Sequence, residues 1–203
     1  MLDTTVLVAR PVHQFIGTLG TEGAFDVAWS DELVSELIEV LTRPKAQQGF
    51  AWDPRAAEAV AGYVRTNFPM GEVASVVMAT RLAAAEQLVR DPGDAHVVAL
   101  ALAASADCIV TANKKDFRVP ELDRLGIAVV TPDRFLFDLY RDIPDEVVAA
   151  VPRQITSSTP YPATSHDILS LLYRAGCRQF AKAMCGALGL PAPNAQRHFS
   201  PKQ

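Results

Sequence analysis

The chain has 203 residues, 49% hydrophobic and 21% charged, a balance that excludes disorder, collagen and coiled coil and fits one ordinary domain with a modest appendage. Its three cysteines (Cys108, Cys177, Cys185) form no C-x-x-C pair, which excludes a zinc finger and fits a reducing cytosol. The net charge of −4 is uneven: residues 1–144 hold 13 Lys+Arg against 20 Asp+Glu, a balance of −7, and residues 145–203 hold 6 against 3, a balance of +3, which is not the footprint of a general nucleic-acid binder.

The N-terminus, Met-Leu-Asp-Thr-Thr, lacks the basic region of a signal peptide. Apolar runs of about ten residues are too short for a membrane span. A cytoplasmic protein without membrane association is expected.

Residues 2–8 are short, apolar and β-branched and predict a buried strand. A helix is expected over 12–19, closed by Gly20, and 25–29 alternate like a strand. Ser30 is an N-cap, with Asp31 and Glu32 in the first turn, for a helix reaching Arg43 and stopped by Pro44. Asp53-Pro54 opens another helix through Phe68, and 73–88 read as a short strand followed by a helix. Asp91-Pro92 starts an Ala-rich helix ending near Ser105. Strands are predicted over 107–112 and 127–131, and Thr131-Pro132 caps a further helix. Strands separated by helices imply right-handed crossovers, hence a three-layer α/β/α fold with a mostly parallel central sheet.

Beyond residue 142 no β pattern appears. Helical patterns cover 145–155, 167–175 and 179–188, a Ser/Thr/Pro-rich stretch covers 156–164, and 191–203 read as frayed. The expected organisation is an α/β body over 1–142 and a helical C-terminal extension over 143–203.

In parallel α/β sheets, sites form at the carboxyl ends of strands and at the N-termini of the helices that follow. Asp3 is an unusual acid in a strand-like run: a solvent-facing turn residue or a site acid. Glu36 shares the i, i+3, i+4, i+7 stripe of Leu33, Leu37 and Val40, so it is paired, neutral or cation-bound unless its side chain reaches water. Asp94 lies three residues after the cap Asp91, where a capping box would also favour an acid. Asp116 ends the loop Thr111-Ala-Asn-Lys-Lys-Asp and is a loop acid or a site acid. His96, two residues past Asp94, falls about 200° around a helix from it, which favours packing or surface over ligation. Cys177 and Cys185 read as packing residues.

Taken in order, Leu2-Asp-Thr-Thr-Val-Leu, Trp29-Ser-Asp-Glu-Leu-Val-Ser-Glu36, Asp91-Pro-Gly-Asp-Ala-His-Val97 and Ala106-Asp-Cys-Ile-Val-Thr-Ala-Asn-Lys-Lys-Asp-Phe117 resemble the PIN-domain nuclease pattern. More closely, the chain resembles the VapC-type toxin branch with an added C-terminal helical region. The ending Gly126-Ile-Ala-Val-Val-Thr-Pro-Asp-Arg-Phe135 also fits. The likeness covers residues 1 to about 140 well and the tail more loosely.

That resemblance implies a PIN-like nuclease domain in which Asp3, Glu36 and Asp94 are the first three acidic site residues. The fourth acid usually stands where this chain has Asn113, with Asp116 three residues on, as in relatives reading Asn-x-x-Asp-Phe. Asn113 and Asp116 would together complete the site. An amide is a weaker ligand than a carboxylate, so one metal or two remains open. Thr5 and Thr111 would support the site acids. Lys114 and Lys115 would contact the RNA backbone, or else are solvated surface charge.

The donor set suits Mg²⁺ or Mn²⁺ rather than zinc. The implied activity is metal-dependent endoribonucleolytic hydrolysis leaving a 5′-phosphate and a 3′-hydroxyl. The implied partners are an RNA (tRNA, rRNA or mRNA), a cognate antitoxin and a second copy of the chain. Two rivals stand beside this reading. A haloacid-dehalogenase-type enzyme wants Asp-x-Asp, and Asp3-Thr4-Thr5 lacks the second acid. A catalytically inactive PIN-like scaffold is kept open by Asn113.

Overall fold

The computed structural model describes residues 1–43, 54–157 and 164–195. The chain divides into two compact units, one of Met1–Ala9 with Phe25–Thr131 and the other of Arg10–Ala24 with Pro132–Gln203.

The first unit is built on a small parallel sheet. Strand β1 (Cys108–Val110) pairs with β2 (Ala128–Val130), Ile109 opposite Val129. Leu2 joins the other edge of β1 through a parallel bridge to Val110, made by Asp3 N–H to Val110 O (3.0 Å) and Val110 N–H to Met1 O (3.0 Å). This is the α/β arrangement expected of a PIN-like fold, with shorter strands than the apolar runs predicted.

The strand expected over 2–8 is corrected to that single bridge. The chain turns at Asp3, whose carbonyl accepts from Val6 and Leu7 N–H, and continues as helix α1 (Thr4–Leu7). β-branched residues favour strands only weakly, and tertiary context readily overrides them. Likewise 25–29 contribute only a bridge from Trp29 to Glu72. Gly71 is required there: a Cβ at that position would stand 1.7 Å from Val27 O.

Helix α3 (Asp31–Thr42) begins as expected, with Ser30 Oγ accepting from Leu33 N–H and Leu33, Val34, Leu37 and Leu41 buried. Helix α4 (Pro54–Asn67) follows, and α5 (Ser75–Glu86) occupies most of the stretch read as strand and helix. The stop expected at Pro44 and the opening residue Asp53 lie outside the described residues.

Helix α6 (Ala95–Ala103) is the buried axis of this unit, with Val97, Val98, Ala99, Leu100 and Ala101 fully inaccessible. It packs against α3, α5 and β1. Each such Val or Leu contributes about 1.5–3 kcal/mol by burial. Helix α7 (Val119–Arg124) connects β1 to β2 and ends at Gly126, whose φ of +79° suits the residue without a side chain.

The second unit is helical. Its helix α2 (Arg10–Thr21) passes through Gly20, beyond the stop expected there, and buries Val12, Phe15, Ile16 and Leu19 on one face. That face meets α9 (Pro144–Ser157), α10 (Ser165–Arg174) and α11 (Arg178–Ala187). Phe15 packs on Phe180, ring centroids 5.4 Å apart. Gln154 donates to Gln14 O (3.0 Å) and to Thr18 Oγ1, tying α9 to α2. Helix α8 (Pro132–Asp142) supplies Asp133, which accepts from the N–H groups of Gln179 and Phe180 and so caps α11. Cys177 and Cys185 are buried packing residues, as expected. Residues 158–163 of the Ser/Thr/Pro-rich stretch and 196–203 of the tail lie outside the described residues.

No described helix is long and apolar enough to cross a membrane.

Candidate functional site

The acids of the first unit converge because the segment after β1 docks on the segment before α6. Val89 bridges Phe117, Arg118 N–H reaches Leu88 O (2.9 Å), and the carbonyl of Asp116 accepts from Arg90 N–H (2.6 Å). This pairing holds the 3₁₀ turn Lys114–Asp116 against the 3₁₀ turn Pro92–Asp94. Carboxylate oxygens of Asp91, Asp94 and Asp116 consequently lie within 4.8 Å of one another.

Asp94 carries the electrostatic signature of that crowding. Burial raises its pKa, and the charges of Asp3, Asp116, Asp91 and Glu36 raise it further, to about 6. Like charges brought together from several elements disfavour ionisation of any one of them, and a cation relieves this.

Asp3 sits at the end of the Leu2 bridge and is buried, with 3% of its surface exposed. It does not face solvent. Thr5 Oγ1 (2.6 Å) and Thr111 Oγ1 (2.7 Å) both donate to its Oδ2, and Thr4 Oγ1 (3.3 Å) donates to Oδ1. Thr5 and Thr111 are themselves fixed, since Thr5 Oγ1 accepts from Ala112 N–H and Thr111 Oγ1 from Asn113 N–H. A buried carboxylate demands such donors.

Glu36 is half-buried on α3, as its place in the apolar stripe implied, and is paired. His96 Nε2 lies 3.1 Å from Glu36 Oε2, while His96 Nδ1 lies 2.8 Å from Gly93 O. Both ring nitrogens face oxygens that can accept, an arrangement that favours the doubly protonated ring. Burial works against that charge, but Glu36 outweighs it and holds the His96 pKa above its ordinary value. Burial likewise pushes Glu36 upward and is overcome by the hydrogen bond and charge of His96, so Glu36 stays below the usual carboxylate range.

His96 is thus half-buried and paired with Glu36, outside the Asp91–Asp94–Asp116 group. The 200° argument assumed a continuous helix through Asp94. Asp94 instead stands at the cap of α6, after a 3₁₀ turn, with φ −90° and ψ 3°.

Asn113 reaches Asp116 directly, its Nδ2 donating to Asp116 Oδ2. Lys114 is half-buried and Lys115 exposed on the same turn.

Of the residues singled out from sequence, Asp94 and Asp116 enter the closest group. Asp3 and Glu36 act on Asp94 by their charge but are already engaged, by hydroxyls and by His96 respectively. Asp91 joins the group although it read only as a helix cap. It does cap, its Oδ1 accepting from Gly93 N–H (2.9 Å), and its carboxylate faces the cluster as well. The signal that could have found it is the repeat Asp91-Pro-Gly-Asp94 itself, two acids at the two ends of one short turn.

The donor set fits a hard divalent cation: three carboxylates from two turns, with no sulfur among them. A model of the PIN domain family matches residues 1–115, and a model of the VapC50 C-terminal domain matches residues 132–185. Among curated proteins and among solved structures nothing matches significantly. With the PIN model spanning more than half of it, the chain belongs to the PIN-domain family, as a VapC-type member with a C-terminal extension.

Proposed function

We propose that this VapC-like nuclease is a Mg²⁺- or Mn²⁺-dependent endoribonuclease of the cytoplasm and the toxin of a toxin–antitoxin pair. The observation that supports it best is the Asp91–Asp94–Asp116 group with Asp94 pushed up to about 6. Such a pKa marks an arrangement that a cation completes.

Asp91, Asp94 and Asp116 would hold the cation, with Asp3 and Glu36 adding negative charge behind them. When bound, a divalent cation supplies Lewis acidity toward a phosphodiester and lowers the pKa of a water. The remaining work belongs to the chain. Asn113 fixes the carboxylate of Asp116. Thr5 and Thr111 fix that of Asp3 and tie the Leu2 segment to the end of β1. His96 keeps Glu36 ionised and sets the start of α6, on which Asp94 stands. Lys114 and Lys115, on the turn that carries Asp116, would meet backbone phosphates. Hydrolysis would leave a 5′-phosphate and a 3′-hydroxyl.

An exposed acidic site on a toxin needs a restraint. A cognate antitoxin presenting Arg or Lys to these carboxylates would supply it, and a homodimer is the assembly we assign to the toxin.

Cleavage of a labelled RNA pool by the full chain in Mg²⁺, Mn²⁺ or EDTA tests the reading. The expected result is cutting in either metal, none in EDTA, and a loss of about 100-fold or more in Asp94→Asn. Absence of cutting in both metals, with no antitoxin present, overturns it in favour of an inactive scaffold.

A further inference from the structure

The carboxylates that act on Asp94 by their charge are those of Asp3, Asp116, Asp91 and Glu36. Among the described residues only Asp91 and Asp116 group with it, oxygens within 4.8 Å of one another. The other two are engaged by donors of the chain itself. Asp3 spends Oδ2 on Thr5 and Thr111 and Oδ1 on Thr4. Glu36 is held first by His96 and more weakly by Thr4.

The His96 ring is aimed by its other nitrogen. Nδ1 lies 2.8 Å from Gly93 O, inside the Pro92–Asp94 turn. A carbonyl can only accept, so Nδ1 carries a proton and the ring is fixed with Nε2 toward α3, 3.1 Å from Glu36 Oε2. Both side chains are largely covered, His96 being 21% and Glu36 32% exposed. An oxygen engaged in this way is not free to coordinate, and parting the pair would leave a half-buried donor without its partner. Asp94 is the opposite case: it has no side-chain capping bond and accepts no hydrogen bond among the described residues. Asn113 turns its amide nitrogen, which donates and cannot ligate, toward Asp116.

We propose that the acidic group takes one divalent cation per chain, and that His96 is the positioning residue that withholds Glu36 from a second. This deepens the cation reading and rests on it, fixing a stoichiometry that the residue types left open. Glu36 then adds to the field at Asp94 without ligating, and loss of His96 releases it as a ligand.

The test counts Mn²⁺ bound per full chain by equilibrium dialysis at saturating metal, with thermal melting recorded for each protein. Wild type is expected to bind one ion. His96→Ala, which strips Glu36 of its main donor, is expected to bind two. Adding Glu36→Gln to His96→Ala should return the count to one. His96→Gln, whose amide nitrogen can still donate to Glu36, should hold it at one. A merely structural role for His96 could lower the count, but it could not add an ion that Glu36→Gln removes.

Two ions on wild type, or one on a folded His96→Ala, overturn the proposal. Should His96→Ala fail to fold, wild type decides through the nitrogen-15 shifts of the His96 ring under Mg²⁺. They should stay those of the metal-free chain at saturation. A move of Nε2 toward its shift in Glu36→Gln marks Glu36 leaving His96 for the cation and overturns the proposal. RNA cleavage scored separately keeps the two readings apart. One ion bound without cutting sinks the ribonuclease and leaves the stoichiometry standing. Cutting with two ions on wild type does the reverse, and no ion bound overturns both.

Discussion

Asp91 performs two tasks with one carboxylate. One oxygen caps the Pro92–Asp94 turn through Gly93 N–H, and the group as a whole completes the acidic trio. A substitution can separate these tasks. Asp91→Ser retains a good capping oxygen, so stability should change by less than about 1 kcal/mol, while Mn²⁺ affinity should fall tenfold or more; equal affinity by calorimetry would remove Asp91 from the site. Asp94 gives a pH signature. Its folded pKa is raised from 3.8 to about 6, so the folded chain holds this proton more tightly than the unfolded one. The stability it contributes is fully present below pH 3.8 and is lost as pH rises through about 6. In EDTA, Asp94→Asn should therefore become progressively more stable than wild type across that window, and a melting difference independent of pH would contradict the assignment. At this scale the sequence was informative where a residue broke its local pattern. Glu36 in an apolar stripe announced a partner, and the Asp3, Thr5 and Thr111 positions were all visible. Asp91 hid behind a sufficient local role. The pairing of His96 with Glu36 hid because the two stand 60 residues apart in sequence.

Helices were legible element by element, because caps and the 3.6-residue period are local signals. Ser30 illustrates it: a serine followed by Asp31 and Glu32 starts α3 where expected, and Ser30→Ala should cost about 1 kcal/mol in chemical denaturation. A cost near zero would mean that the Leu33 N–H finds another acceptor. Strands were less legible. The run Thr4-Thr5-Val6-Leu7 has strand composition, yet it becomes a helical turn once the Asp3 carbonyl captures the N–H groups of Val6 and Leu7. Periodicity cannot report where a ladder stops, because the stop is set by a partner far away in sequence. The same holds for Gly71, whose need for a bare Cα arises from Val27 O. Gly71→Ala should destabilise by about 2 kcal/mol or more, since backbone rather than a flexible side chain must yield; a variant melting with wild type would show that the Trp29–Glu72 bridge is dispensable.

For the molecule as a whole, sequence showed an α/β part, helices after it and a charge shift from acidic to basic. It did not show that α2 groups with the C-terminal helices. The stripe of Val12, Phe15, Ile16 and Leu19 states that a face is buried but not against what, and the answer involves Phe180 and Gln154, more than a hundred residues away. Each unit thus has its own character: one gathers carboxylates from two turns distant in sequence, the other packs its helices around Phe15 and Phe180. The account stands on the first of these holding a divalent cation. The most direct measurement is titration of the full chain with Mn²⁺, following the electron paramagnetic resonance of the free ion, in wild type and Asp94→Asn. The account predicts that wild type depletes the free-ion signal and that the variant binds at least tenfold more weakly. A wild-type signal that tracks total Mn²⁺, or identical curves for the two proteins, would contradict it.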